Sequence, residues 1–323
     1  MEKYSICLDI GGTKVLGAIF DQKGDIVFRS KKKLKGKDAT ADVEKLIVSV
    51  VSDLLRSSDI PMDHIEAIAA GAPGVIDQEK GVVLFSPNLP WRDYPIRDHL
   101  KERFGRPFYI GNDVNVGVYG EWRYGAAKGC DHVVGLFVGT GIGGGLILDG
   151  KQFSGFGFKG AELGHLVVEP EGPVCGCGQR GCLESLSSKV GMTDYIRVQL
   201  RRGRESLMAD TVTDTVFKSK AMKNAFMAGD EVMTEAICRS AHYLAIAAGS
   251  YINVFSPEMI VFGGGVMEAL GDVFIEKVVA EIDRYAMPSI RNSVSICKAA
   301  LGDDSVLYGA LAMIEDHRAA AKR

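Results

Sequence analysis

Apolar residues fall in short runs that end at glycine-rich or polar corners. Residues 4–9 read as a strand, and an apolar run to Phe20 follows the turn Gly11-Gly12-Thr13. Residues 41–56 carry apolar positions at helical spacing, residues 65–70 a strand pattern, and Ala72-Pro73-Gly74 breaks the chain. Residues 108–110 predict a strand that delivers Asn112 and Asp113 to its C-terminal end, and 114–124 predict a helix. Further strands are expected at 133–138, 143–148, 259–262 and 294–298. Residues 221–255 are mostly helical in pattern, and 306–322 form a last helix whose basic end suits its dipole. Alternating strands and helices predict an α/β protein, with its glycine-rich corners at strand ends, where open α/β sheets bind ligands.

The chain echoes itself. Leu8-Asp9-Ile10-Gly11-Gly12-Thr13 and its apolar run to Asp21 match Leu136-Phe137-Val138-Gly139-Thr140-Gly141 and the run to Asp149, each residue 128 positions after its counterpart. Both copies read strand, Gly/Thr turn, strand, polar hairpin, the hairpins being Asp21-Gln22-Lys23-Gly24-Asp25 and Asp149-Gly150-Lys151. Two α/β halves facing each other across a cleft are expected.

Composition narrows the class. A chain of 323 residues gives about two domains at roughly 150 residues each, long enough to bury a core in both. Hydrophobic residues at 46% and charged residues at 24% exclude a disordered chain. Lys plus Arg (38) nearly balance Asp plus Glu (41), so no global field favours nucleic acid or membrane. The basic run 29–37 reads as a solvated hairpin edge that resists aggregation. Arg201, Arg202 and Arg204 read as ordinary surface residues. The start reads as a strand and not as a signal peptide, and the most apolar helical stretch, 241–255, is too short to span a bilayer. Of seven cysteines, Cys7, Cys130, Cys238 and Cys297 stand singly and read as buried thiols, which points to a reducing, cytoplasmic setting.

Four constellations carry chemistry. In Asp9-Ile10-Gly11-Gly12-Thr13-Lys14, consecutive glycines expose amides as an anion nest, and Asp9 beside it would hold a hydrated Mg²⁺ on a phosphate. An ordinary hairpin turn capped by Asp9 is the competing reading. The segment from Gly139 through Thr140, Gly141 and Gly143 to Gly145 contains a formal G-x-G-x-x-G. It continues as strand and turn where a dinucleotide fingerprint would open a helix, so the Rossmann reading fails. No G-x-x-x-x-G-K-[ST] occurs, which excludes a Walker-type site. Two such hairpin loops suit one triphosphate held between them.

His165, Cys175, Cys177 and Cys182 are spaced H-x9-C-x-C-x4-C. Three thiolates and an imidazole complete a closed tetrahedral Zn²⁺ site, hence a structural one. A labile disulfide is the weaker alternative in a reducing compartment. The fourth set is Asn112, Asp113, Glu162 and Glu184. Glu162 and Glu184 flank the metal ligands, so the metal would tether both carboxylates near one point. An amide and carboxylates near a fixed imidazole suit a polyhydroxylated ligand, whose hydroxyls both donate and accept. Solvated surface acids are the competing reading.

Together these motifs resemble the ROK (repressor, open reading frame, kinase) family, from Asp9 to about Gly309 and most specifically over 175–184. The resemblance implies a two-lobed, duplicated ribonuclease-H-like α/β fold of the hexokinase/actin type with a cleft between lobes. One lobe would be 1–120, completed by the C-terminal helix 304–323; the other, 121–303, would carry the zinc. Asp9–Lys14 and Gly139–Gly144 look like the family's phosphate loops, and Gly263-Gly264-Gly265 like its adenosine motif. Asn112 and Asp113 look like its sugar-binding pair, with Asp113 as catalytic base, and Glu162, His165 and Glu184 like its sugar ligands. His165 would serve zinc as well. The implied activity is an ATP-dependent hexose kinase, a glucokinase forming glucose 6-phosphate, with Mg²⁺ on ATP and a structural Zn²⁺. The alternatives are an N-acetylglucosamine or N-acetylmannosamine kinase and a non-catalytic sugar-sensing regulator. Partners would be hexose and ATP, with no nucleic acid or membrane, in a homo-oligomer (dimer or tetramer). Repressor members carry an N-terminal helix-turn-helix, whereas here the first phosphate strand begins at residue 4, so no DNA-binding domain is expected. Gly111, Val114 and Gly117 depart from common family residues, and Asn88-Leu89-Pro90-Trp91 lacks a usual glycine. The loop change bears on sugar identity.

Overall fold

A computed structural model describes residues 2–12, 14–33, 43–211 and 216–322. The chain divides into two compact units: Met1–Lys128, Ser154–Gly160 and Asp304–Arg323 form the first, and Gly129–Phe153 with Ala161–Asp303 the second.

The first unit is built on β1 (Tyr4–Ile10), β2 (Lys14–Phe20), β3 (Ile26–Lys33), α1 (Val43–Ser58) and β4 (Ile65–Ala72). After them come the short strands β5 (Val75–Asp77), β6 (Val82–Phe85) and β7 (Arg92–Tyr94), then α2 (Ile96–Phe104), β8 (Phe108–Asn112) and α3 (Asp113–Arg123). The main sheet has the order β3-β2-β1-β4-β8, and β5, β6 and β7 make a small sheet of their own. β1, β2 and β3 are antiparallel, whereas β4 and β8 run parallel to β1. Side chains alternate across β1 with a period of two. Ile6, Leu8 and Ile10 join a core with Ile47, Val50 and Leu54 of α1, while Cys7 joins a second core with Leu307, Leu311 and Ile314 of the C-terminal helix Ser305–Ala320. Covering both faces is why β1 reads as an unbroken apolar run. At the sheet's edge, β3 alternates half-buried and exposed residues and ends in Lys31, Lys32 and Lys33, the solvated edge expected of the basic run. Its remainder, 34–37, lies outside the described residues.

The second unit repeats the arrangement. Its strands are β9 (Val133–Val138), β10 (Ile142–Leu148), β11 (Lys151–Gln152), β12 (Met259–Gly263) and β13 (Ser295–Lys298), in the order β11-β10-β9-β12-β13. Here too the hairpin partners are antiparallel and the last two strands parallel to the first. The helices that matter for the site are α4 (Leu183–Ser187) and α5 (Lys189–Arg201). The stretch read as one helical region is two helices, α6 (Ser219–Met227) and α7 (Glu231–Phe255). They part at Gly229, whose φ is +80°, and at Asp230, whose carboxylate caps α7 by accepting from the Met233 amide at 2.7 Å.

The first unit includes the buried Glu121, which accepts from the Ser305 hydroxyl at 2.9 Å and the Ala126 amide at 3.0 Å. One expectation needs correction. Of the four lone cysteines, only Cys7 is buried; Cys130 and Cys297 are half-buried, and Cys238 is exposed. Cys238 follows the buried pair Ala236-Ile237 and so lands on the outward face of α7. Among the described residues, no helix is long and apolar enough to cross a membrane.

Candidate active site

In the first unit, three parallel strands end together. Asp9 of β1 pairs with Gly71 of β4, which pairs with Gly111 of β8. Strands lie about 4.8 Å apart, so the Asp9 and Gly111 backbones are roughly 10 Å apart at one sheet end. The Gly11 amide donates to the Lys14 carbonyl at 2.9 Å across the first turn, and β2 starts at Lys14. Thr13 lies outside the described residues. A Cβ on Gly12 would stand 3.1 Å from the Asn88 carbonyl oxygen, so the loop after β6 approaches this turn closely.

Asn112 and Asp113 sit at the same end, where β8 becomes α3. The Asn112 Oδ1 accepts from the Val114 amide at 3.1 Å and the Asn115 amide at 3.0 Å, and its Nδ2 donates to the Gly74 carbonyl at 3.0 Å. It is therefore the N-cap of α3 as well as a candidate sugar ligand. Sequence reasoning missed that role, although an Asn directly before a helix is its usual signal. Asp113 takes the first helical position, with Oδ1 accepting from the Val114 amide at 2.9 Å. A Cβ on Gly71 would come within 3.2 Å of the Asp113 Cα; glycine there lets the start of α3 lie against β4.

The second turn, Gly139-Thr140-Gly141, is closed by the Gly139 amide donating to the Gly141 carbonyl at 2.8 Å. Gly143 lies beyond it, inside β10 opposite Phe137. Gly263 is in register with Phe137 on the other side of β9. Gly264 adopts φ +88°, and a Cβ there would stand 2.6 Å from the Val138 carbonyl oxygen. Only glycine combines that conformation with that approach, so the bend through Gly263, Gly264 and Gly265 lies at the base of the second turn.

His165, Cys175, Cys177 and Cys182 present ligand atoms all within 4.8 Å of one another. Leu163–His165 is a 3-10 turn that follows the exposed Glu162, whose carbonyl accepts from the His165 amide at 3.0 Å. The cysteines sit on a knuckle in which the Cys175 amide donates to the Gln179 carbonyl at 2.7 Å and the Gly178 amide to the Cys175 carbonyl at 2.9 Å. Gly178, at φ +91°, allows the reversal. The Cys177 and Cys182 sulfurs are 3.7 Å apart, and Cys175 Sγ is 3.7 Å from His165 Nδ1. Sulfurs at about 2.3 Å from a tetrahedral zinc are roughly 3.7 Å apart, so the donor set fits that ion. All four residues could hold it, His165 through Nδ1 with Nε2 left over. Burial pushes the Cys175 thiol up to about 12 and raises Cys182 as well, whereas the hydrogen bond with the Gln179 backbone lowers Cys177. A dication among the sulfurs would offset that desolvation cost.

Glu184 lies beside the cysteine cluster and also reaches the second turn. Its Oε2 accepts from the Ile142 amide at 2.9 Å, directly after the second turn, and its Oε1 lies 3.7 Å from Cys175 Sγ. The Lys189 amide donates to the Gly139 carbonyl at 3.0 Å and the Val190 amide to the Thr140 carbonyl at 3.3 Å. The described structure thus gathers Asp9, Gly11, Gly12, Lys14, Asn112 and Asp113 at one sheet end of the first unit. In the second it gathers the metal ligands with Glu162 and Glu184, and the two glycine bends with each other.

The profile of the ROK family matches residues 5–317. The chain is 33% identical to a glucokinase of Thermotoga maritima over 96% of its own length and 97% of that protein's. It is 28% identical to a xylose repressor of Caldicellulosiruptor bescii, covering 96% of this chain and 77% of the repressor. Its fold is similar to that of a ROK family glucokinase from Streptomyces griseus in complex with glucose and AMPPNP. The TM-score there is 0.83 at 29% identity, over 96% of this chain and 98% of the other.

Proposed function

The chain belongs to the ROK family and is an ATP-dependent sugar kinase, and from that premise we propose that it is a hexose kinase acting on glucose at the 6-hydroxyl. The observation that carries the mechanism is the shared sheet end. Asp113, in the first turn of α3, stands on the same edge as Asp9 and the glycine turn. Asp113 takes the proton of the sugar hydroxyl as that oxygen attacks the γ-phosphorus. The bond to the β-γ bridging oxygen breaks, and ADP leaves with the electron pair. Asp9 would hold the water shell of the Mg²⁺ supplied with ATP, an ion that would neutralise phosphate charge. Lys14 and the amides of the turns at Gly11–Thr13 and Gly139–Gly141 bind phosphate oxygens, with Gly143 continuing the second loop. The bend Gly263–Gly265 receives the nucleoside.

Asn112, Glu162, His165 through Nε2, and Glu184 are the remaining sugar ligands. Cys175, Cys177, Cys182 and His165 would hold a structural Zn²⁺, which would order the turn bearing Glu162. Glucose-kinase relatives at 33% and 30% identity support glucose. The xylose repressors keep a regulatory reading in view, but both glycine turns and Asp113 favour catalysis. An ADP-release assay over glucose, mannose, fructose, galactose, N-acetylglucosamine and N-acetylmannosamine tests the assignment. Glucose should give the highest kcat/KM. A preference for an N-acetylated sugar would move the substrate, and no turnover with any of the six would overturn the catalytic reading.

A further inference from the structure

The second glycine turn is gripped by the segment that leaves the cysteine knuckle. Cys182, a metal-ligand candidate, is the N-cap residue of α4. Glu184 in the first turn of α4 takes the Ile142 amide, and Ser188 N-caps α5 by accepting from the Gly191 amide at 3.2 Å. The first two amides of α5, Lys189 and Val190, then take the carbonyls of Gly139 and Thr140. Within nine residues of one ligand, the chain makes three hydrogen bonds to the turn, at Gly139, Thr140 and Ile142. Two of the three use backbone and survive side-chain changes. The third depends on one carboxylate, whose other oxygen faces the Cys175 sulfur.

Glycine at 141 fits this arrangement. A Cβ there would stand 3.0 Å from the Glu184 Cδ and closer still to Oε2. Carboxylate and turn therefore occupy adjoining space that any larger residue at 141 would claim.

We infer that Glu184 is a positioning residue for the nucleotide: it transmits the order of the metal-bound knuckle to the Gly139–Ile142 turn. This rests on the reading of that turn as a phosphate loop, and it is separate from any contact Glu184 makes with sugar. Metal loss then loosens the turn, and nucleotide affinity falls together with sugar affinity. An amide oxygen can accept from Ile142 as the carboxylate does, so Glu184→Gln keeps the grip and Glu184→Ala abolishes it. A hydrogen bond from an amide to a carboxylate is among the stronger kinds, and its loss corresponds to about a tenfold or greater effect.

Two measurements on the full chain test this. The first is amide hydrogen exchange over residues 136–148 without ligands, a readout that does not depend on turnover. Zinc-loaded wild type and E184Q should be protected, whereas E184A and chelator-stripped wild type should exchange about tenfold faster or more. The second is calorimetry of a non-hydrolysable ATP analogue without sugar, in which E184A should lose about tenfold in Kd and E184Q should stay within about threefold of wild type. If E184A fails to fold, Gly141→Ala displaces the carboxylate from the other side and should give the same pair of losses. Wild-type protection and nucleotide affinity in these variants, with only sugar binding lost, would overturn the inference and leave Glu184 a sugar ligand alone. Failure of the hexose screen would overturn the kinase reading instead, and the exchange result would still decide whether the grip exists.

Discussion

Two hairpin turns occupy the same place in two sheets of the same strand order, yet they are held by different means. The turn after β1 is closed by its own Gly11–Lys14 bond and approached by the Asn88 carbonyl. The turn after β9 is closed by its own Gly139–Gly141 bond and gripped besides by Glu184, Lys189 and Val190. The difference separates two things that a glycine motif alone does not distinguish. Turn shape is a local property of the strand–turn–strand sequence, set by which residues tolerate close approach. Turn order is a tertiary property, set here by a segment more than forty residues away that is itself ordered by a candidate metal site. Duplication supplies a glycine turn twice and, among the described residues, this grip once.

The contrast breaks most sharply at the chemistry, which the first unit is proposed to supply. Asp113→Asn keeps the shape and the hydrogen bond from the Val114 amide but removes the proton acceptor. It should lower kcat by about 10²–10⁴-fold while sugar Kd, measured by calorimetry, changes little. A variant with near wild-type kcat would remove Asp113 from the mechanism. Next in size is the metal. Protein purified without added metal should contain one zinc per chain by elemental analysis, and Cys177→Ser should lose it. Stripping the metal should speed exchange over 136–148 by about tenfold or more, with exchange over 5–20 unchanged. Equal loss in both segments would mean that the cluster supports the whole fold and that the two turns do not differ as described.

Much of this was legible in the sequence because it is local. The β1–β2 and β9–β10 hairpins carry apolar runs around glycine turns, and the Cys175–Cys182 spacing alone suggests the knuckle that the structure folds. What escaped is what local pattern does not encode. β5, β6 and β7 are three or four residues long, too short for alternation to register. The strand expected from Gly143 starts one residue earlier, at Ile142, because Ile142 already pairs with Val138. The bond from the Ile142 amide to Glu184 spans 42 residues of sequence with no motif to announce it. Asn112 carried a readable signal, a capping residue before a helix, that its placement in a candidate sugar pair obscured.

The first turn offers a smaller test. Gly12→Ala would place a Cβ 3.1 Å from the Asn88 carbonyl oxygen and 3.3 Å from the Asn88 Cβ. The loop must give by a few tenths of an ångström, a mild overpacking of about 1 kcal/mol. Nucleotide Kd should weaken by about five- to tenfold at that cost, and exchange over 136–148 should not change. Acceleration in both segments would show that the turns report on one another.

The smallest expected effect concerns Lys189, whose backbone fastens the second turn and whose half-buried ammonium has its pKa lowered from 10.5 by desolvation. A folded-state pKa below the unfolded one means that the native state binds fewer protons between the two values. Stability of the ligand-free protein should therefore rise with pH through that window as the desolvation cost of the charge disappears. Below that window the cost is fully present. Lys189→Met keeps the stem and the backbone bond to Gly139 while removing the charge, so its Tm should exceed wild type by about 1–3 °C at pH 7. The gap should narrow as pH approaches 10.5. Melting curves of both proteins from pH 7 to 10.5, taken without nucleotide, measure this directly. A gap that stays constant across the range would assign the stabilisation to packing of the methionine. No gap at any pH would mean that the ammonium reaches water freely and that the second turn is held by backbone and Glu184 without cost from its neighbour.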